Sequence, residues 1–462
     1  MKLLMITAFP PMKAPEADHA FHLAEHLAGH ALDVHVVTTK DSIAVSHSGI
    51  TVHPIMRDWS WSDFPRLVKC MTRCSPDAIL LVYIGWIYNY HPMLTFVPTV
   101  AKTFLPHVRF VTLFEGAGGA FSYPPSLLGR AARKGRELWK NVDNDFGTRP
   151  RPYRLVRVVR KGMELWAGRK NGNLNFRTLL NWPYPLVRVV RKGMELWAGR
   201  KNTDFNFGTL LRDSDRIIAV SDQTRAGLAE RFSGVNSKSV LIPAPPIMRM
   251  CPENDGEGRR LRREALGLRP NDFLVVYFGY IYPGKGVETL LKAFRIVSAQ
   301  RGNVRLLMVG GSMEFPNSPS YSQEIRGMPK QLGIDDRVAW TGEYAWDSDE
   351  ASGYLRAADV CVLPFDMGVS VHNSSFAAAA AHGLAIITTR GETLEEPFVH
   401  QQNVLLCPPR DPEAMAAAIE TLMDGPDIRK RLQRGACELA REWFSWERVI
   451  ERTVSTLSAV IS

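Results

Sequence analysis

The stretch Pro364 to Arg390, PFDMGVSVHNSSFAAAAAHGLAIITTR, constrains this chain more than any other. Asn373, Ser374 and Ser375 are helix N-cap types, and the run Phe376 to Ala381 behind them has high helix propensity and almost no side-chain bulk. A short, tightly packed helix is predicted there. Gly383 stops it, and Leu384 to Thr389 reads as a buried strand. A helix opened by a Gly-Val-Ser loop and aimed at a cleft between strand ends turns backbone N–H groups and a positive dipole end toward a phosphate. Two readings are open at this point: a cradle for nucleotide phosphates, or a plain helix–strand unit of an α/β sheet.

The rest of the chain supplies the sheet. Apolar runs at Leu3–Thr7, Val34–Thr38, Ile50–Ile55, Ala78–Tyr83, Val108–Phe114, Asp215–Ser221 and Val240–Pro243 read as strands. A helix carrying Phe21, Leu23, Ala24, Leu27 and Ala28 lies between the first two, and another is expected near Phe64–Arg73. IPAPPIMRMCPENDGEG then has linker composition. Beyond it the pattern repeats, with strands at Phe273–Gly279, Arg305–Val309, Arg337–Thr341, Val360–Leu363 and Val404–Cys407, and helices at Val287–Ser298, Pro412–Met423 and Asp427–Trp446. Alternating strands and helices predict an α/β chain of two Rossmann-like doubly wound domains facing across a cleft. Residues 1–243 form the first, and 244–462 the second, with closing C-terminal helices. Function in such sheets collects at the carboxyl ends of strands. Three loops there carry polar groups: one with His19, one after Tyr83, and Glu115 with Gly116, Gly118 and Gly119.

Charge is unevenly spread over the 462 residues, which carry a net +10. From Arg130 to Lys201 there are 19 Lys or Arg against five Asp or Glu, a net +14, so the remainder is about −4. The same region holds a duplication: LVRVVRKGMELWAGRKN stands at Leu155–Asn171 and again, letter for letter, at Leu186–Asn202. Each copy puts Leu155, Val158, Val159, Gly162 and Trp166 on one helix face and Arg154, Arg157 and Lys161 on another. This insertion, at about 130–211, fits either an interfacial segment on an anionic membrane or a solvated helix packed on its own domain. Six scattered cysteines fit a reducing compartment, and none has metal-site spacing. The N-terminal apolar run is too short for a signal peptide. Ala78 to Ala101 is uncharged, but Asn89, His91, Pro92 and Pro98 break it into strand, loop and helix.

MKLLMITAFPPMKAPEADHAFHLAEHLAGHALDVHVVT, DRIIAVSDQTRAGL, FGYIYPGKGVETLLKAF and AAAAAHGLAIITT, in that order, resemble a retaining family-4-type glycosyltransferase of the GT-B fold. They correspond to its opening unit, domain-boundary segment, donor-phosphate loop and nucleotide-closing helix. The resemblance puts Lys285 at the lysine that contacts the donor diphosphate, and a compact cation suits a departing diphosphate without a metal. The arginine often found after the strand glycine is Tyr280 here. The two glutamates of most members fall on Ser370 and Ala378, so the sequence is similar to a variant subgroup with Gly-Val-Ser before the Ala-rich helix. In that subgroup Ser370, Asn373, Ser374 and Ser375 bind the diphosphate, and the positions just before the helix where it carries basic residues are held here by His372 and Asn373. Gly279, Gly286, Gly311 and Glu343 complete the donor-binding set. The early double glycine is Ala14–Pro15, His19 stands where a loop histidine is common, and Glu115 is the acidic residue nearest the acceptor.

The resemblance implies transfer of a hexose from a nucleotide sugar to a glycolipid or cell-surface polysaccharide, with retention, no cofactor and no metal. The basic duplicated insertion in the acceptor-side domain adds the expectation of a cytoplasmic enzyme peripheral at the inner face of a membrane, and the lack of a nucleic-acid motif that of no nucleic-acid partner. Two other readings stand beside it. The absent acidic pair suits a non-catalytic nucleotide-binding scaffold, and the basic segment suits a nucleic-acid-binding protein.

Overall fold

The computed structural model describes residues 1–12, 14–42, 49–88, 91–115, 205–250, 256–313, 320–345 and 348–459. The duplicated basic segment and Gly116, Gly118 and Gly119 lie outside the described residues.

Seven strands form the first sheet: β1 (Lys2–Ile6), β2 (Asp33–Thr39), β3 (Ile50–Met56), β4 (Ala78–Tyr83), β5 (Arg109–Phe114), β6 (Arg216–Ala219) and β7 (Ser239–Leu241). Their spatial order is β3-β2-β1-β4-β5-β6-β7 and every pairing is parallel. The second sheet repeats that logic with β8 (Phe273–Phe278), β9 (Val304–Val309), β10 (Val338–Gly342), β11 (Val360–Leu363), β12 (Ala385–Thr389) and β13 (Leu405–Cys407), in the order β10-β9-β8-β11-β12-β13. Parallel strands are covered on both faces, which is why β4 (AILLVY) is buried at all six positions. Among the described strands the one carrying a proline, β3 with Pro54, lies at a sheet edge, where a missing N–H costs least. The chain therefore has the expected fold, two Rossmann-like doubly wound domains facing each other across a cleft.

Two elements depart from the sequence reading. At the end of the stretch with linker composition a helix begins that was not expected, Gly256–Ala265, and it buries none of its residues. Arginines hold it instead: Arg259 bonds the carbonyls of Arg356 and Ala358, and both Arg259 and Arg263 pair with Asp359. The second departure is the C-terminus. The expected helix to Trp446 ends at Leu439, passes through a π turn, Ala440–Phe444, and restarts as Trp446–Ser458, capped by the Ser445 hydroxyl. This last helix crosses back to the first sheet, where Val449, Ile450 and Leu457 are buried with Leu3, Met5, Val34 and Val111. Trp446 anchors the crossing. Its indole N–H donates to the Pro246 carbonyl at 3.0 Å, and its ring stacks on His26 with centroids 4.3 Å apart.

Candidate active site

The carboxyl ends of β1 and β5 face those of β8 and β10 across a cleft of about 620 Å³. On the first wall, the loop after β1 leads into the helix Pro15–Gly29, whose first turn carries Glu16 and Asp18. Proline at N1 and acids at a positive helix end both suit that position. His19 follows on the buried side, 3% exposed, with its Nδ1 hydrogen-bonded to the Glu115 carboxylate just past β5. That bond fixes the ring and directs Nε2 away from Glu115. Neither His19 Nε2 nor Glu16 Oε2 has a hydrogen-bond partner among the described residues.

The second wall holds the turn after β8. Gly279 has φ 132° and leads through Tyr280 to Lys285, whose ammonium lies over the rings of Tyr282 and Phe365 at 4.9 and 5.1 Å. Beside it begins the helix Ser374–Ala381. Asn373, at its N-cap, does not cap it: the Asn373 side-chain oxygen accepts from the Ser370 N–H at 2.8 Å, closing the preceding loop. The first-turn N–H groups of Ser374 and Ser375 are thus left without a side-chain cap where they line the cleft.

Of the residues singled out from sequence, His19, Glu115, Gly279, Lys285, Glu343, Asn373, Ser374 and Ser375 come together on this cleft. Ser370, Gly286 and Gly311 stand one layer behind. The Ser370 hydroxyl bonds His372 Nδ1 at 2.9 Å, and a Cβ on Gly311 would lie 2.3 Å from Glu343 Cγ. His372 contributes no cation at neutral pH, because burial and the neighbouring Lys285 push it down to about 4. Among the described lining residues the only Lys or Arg is Lys285.

Sequence reasoning passed over Glu16 and Asp18, and noted Tyr280 only as standing in an arginine's place. Glu16 and Asp18 lie in the first turn of the helix that follows the β1 loop, which was signal enough to find them. Tyr280 hydrogen-bonds Asp18 across the cleft. That pairing joins two domains and has no local sequence signature. Burial, with the neighbouring Glu115, pushes the Glu16 carboxyl up to about 8, and burial pushes Asp18 up to about 7. The native chain therefore keeps a proton on Glu16 that the unfolded chain releases near its ordinary value of 4.5, so stability falls as pH rises from there through about 8. Glu16→Gln removes that loss. Melting temperatures at the two ends of this window should move closer together in the variant, by the equivalent of up to about 5 kcal/mol; parallel curves would mean that Glu16 keeps its ordinary acidity.

The two domains also meet behind the cleft. One Glu395 oxygen accepts from the Asp222 N–H at 3.0 Å and the other from the Val371 N–H at 2.6 Å, while the Ala244 N–H donates to the Val371 carbonyl at 3.1 Å. The loop that presents His372 and Asn373 is thus tied to the first domain. Among the described residues no three His, Cys, Asp or Glu side chains are grouped as metal ligands, and no helix is long and apolar enough to cross a membrane.

Residues 272–425 match the family model described as Glycosyl transferases group 1. A D-inositol 3-phosphate glycosyltransferase from Corynebacterium efficiens is 29% identical over 261 residues, 54% of this chain and 57% of its own. A GDP-mannose-dependent alpha-(1-6)-phosphatidylinositol monomannoside mannosyltransferase from Mycobacterium tuberculosis is 27% identical over 237 residues, 50% and 57% of the two chains. The chain thus spans just over half the length of the curated relatives it matches. Among solved structures, sucrose-phosphate synthase from Thermosynechococcus elongatus superposes with a TM-score of 0.64 at 17% identity, covering 100% of this chain and 99% of that one. HepE from Anabaena, in complex with UDP and glucose, also gives 0.64, at 14% identity, with 99% and 100% covered. Both likenesses are of fold.

Proposed function

We propose that this chain is a glycosyltransferase that moves a hexose from a nucleotide sugar to a hydroxyl of a glycolipid or polysaccharide. Residues 1–243 serve as its acceptor side and 244–462 as its donor side. The observation that carries this reading is the pairing of Lys285 with the uncapped start of the Ser374–Ala381 helix on one wall, opposite His19 and Glu115 on the other. The first pair suits a diphosphate through charge and backbone N–H groups. The second suits the acceptor, a neighbouring hydroxyl of which can donate a hydrogen bond to His19 Nε2 while Glu115 holds the ring. The acceptor oxygen bonds to the anomeric carbon as the bond from that carbon to the phosphate oxygen breaks. The nucleoside diphosphate leaves with the electron pair, and one of its oxygens, on the same face as the attack, takes the hydroxyl proton. Retention follows from that geometry, and no metal is needed because Lys285 and the helix start offset the leaving charge. Gly279, Glu343 and Asn373 shape the donor site, with Ser370, Gly286 and Gly311 supporting them from behind.

The test is turnover with a panel of nucleotide sugars, with and without EDTA. An enzyme releases nucleoside diphosphate slowly by hydrolysis, unaffected by chelator, and yields a retained anomer in transfer. A specific observation favours the second reading, a non-catalytic scaffold: Ser370 and Ala378 replace the acidic pair, and Ala378 is fully buried. Nucleotide binding without any hydrolysis or transfer would establish it.

The +14 segment supports a cytoplasmic location at the inner face of a membrane. Full-length chain should bind vesicles containing anionic lipid, and deletion of residues 151–201 should weaken that binding; equal binding would sink the membrane placement.

A further inference from the structure

The wall given to the cleft by the first domain is acidic, with Glu16, Asp18 and Glu115 lining it. Acidity alone identifies no ligand. Here it coincides with two polar atoms that lack a hydrogen-bond partner among the described residues, His19 Nε2 on a side chain 3% exposed and Glu16 Oε2. Buried polar atoms are almost always paired in folded proteins, so each such vacancy in a cleft points to a group that arrives with the ligand. His19 Nδ1 is already engaged by Glu115, which leaves Nε2 as the ring atom offered to that ligand.

We infer that this wall is an acceptor subsite for a polyhydroxyl sugar or polyol that carries no anionic group. The inference rests on the glycosyltransferase reading above and sharpens its acceptor. Hydroxyls complement the wall, since each can donate to a carboxylate or to a neutral imidazole. Phosphate does not. Lys285, the one Lys or Arg among the described lining residues, stands on the second domain's wall, where the donor diphosphate claims it. A phosphorylated acceptor would bring its charge against Asp18 and Glu115 with no cation on that wall among the described lining residues to offset it, a mismatch that selects against such acceptors. The Tyr280 hydroxyl, where an arginine would have served a phosphate, hydrogen-bonds Asp18 and keeps that carboxylate on the cleft.

The experiment uses the full chain saturated with whichever nucleoside diphosphate stabilises it, titrated by NMR with matched probes. These are myo-inositol against myo-inositol 3-phosphate, and methyl glucoside against glucose 6-phosphate. Each uncharged probe should bind at least about tenfold more tightly than its phosphorylated partner. In a chain carrying Asp18→Asn, compared with the parent at pH 8 where the Asp18 carboxyl is ionised, that ratio should fall, with a cooperative melt showing that the variant is folded. Equal or tighter binding of the phosphorylated probes overturns the inference, as does the absence of binding by every probe while nucleotide is bound. A chain that binds no nucleoside diphosphate fails the glycosyltransferase reading itself, and this inference falls with it.

Discussion

Lys285→Ala is expected to lower sugar transfer about 10²- to 10³-fold, the loss typical of removing one preorganised group that meets transition-state charge. The reason is local scarcity. No other Lys or Arg among the described residues lines the cleft, and His372, the nearest basic type, is held neutral by its burial and by Lys285 itself. The ammonium sits over two aromatic rings, in cation–π contacts that a diphosphate can supplement. Folding should be nearly indifferent to the change, because the side chain is half-buried and the cation–π contacts contribute only about 1 kcal/mol. The variant should therefore melt near the parent without nucleotide and lose most of the parent's stabilisation by nucleoside diphosphate. Lys285→Arg should recover part of the binding but less of the turnover, since a planar guanidinium aims its charge differently. If Lys285→Ala keeps both turnover and nucleotide stabilisation, the donor phosphates bind elsewhere.

The same contrast between near and distant pairing decides what can be read from sequence. The strands were legible because parallel strands buried on both faces must be continuous apolar runs, and AILLVY at β4 or AIITT at β12 has few other uses. The helix Ser374–Ala381 was legible because N-cap types, an alanine run and a glycine stop fall within ten residues of one another. The helix Gly256–Ala265 was not, since its sequence GEGRRLRREA has no apolar face. What holds it is arginine bonding to carbonyls and to Asp359, about 100 residues on. Trp446 misled for a similar reason: an unbroken helical pattern hid a change of domain that only the Pro246 carbonyl and the His26 ring explain. In the cleft, strand ends pointed to His19 and Glu115. That they meet, and that Asp18 meets Tyr280, depends on which loops the sheet order sets side by side.

Gly286→Ala should cost more than any other single methyl added to the second domain, about 4 kcal/mol or more, and should abolish nucleotide stabilisation together with it. Gly286 has φ 68°, a left-handed conformation that an L side chain adopts only at some cost. Conformation is the smaller part. A Cβ at this position would lie 1.9 Å from the Pro364 carbonyl oxygen and 2.9 Å from its carbon. That backbone cannot retreat, because it follows β11 in the middle of the sheet, and the Asp366 N–H is bonded to the Gly284 carbonyl at 3.0 Å. The clash must be relieved by displacing the Lys285 turn and the start of the Val287–Gln300 helix, so stability and donor binding fail together. Gly267→Ala separates the two causes. Gly267 has the same φ of 68°, yet nothing lies within 4 Å of the Cβ it would gain, so only the conformational cost of about 1 kcal/mol remains. Chemical denaturation of both variants measures the difference. Equal losses would show that the conformation alone demands glycine at both positions, and that the close approach of Pro364 yields without cost.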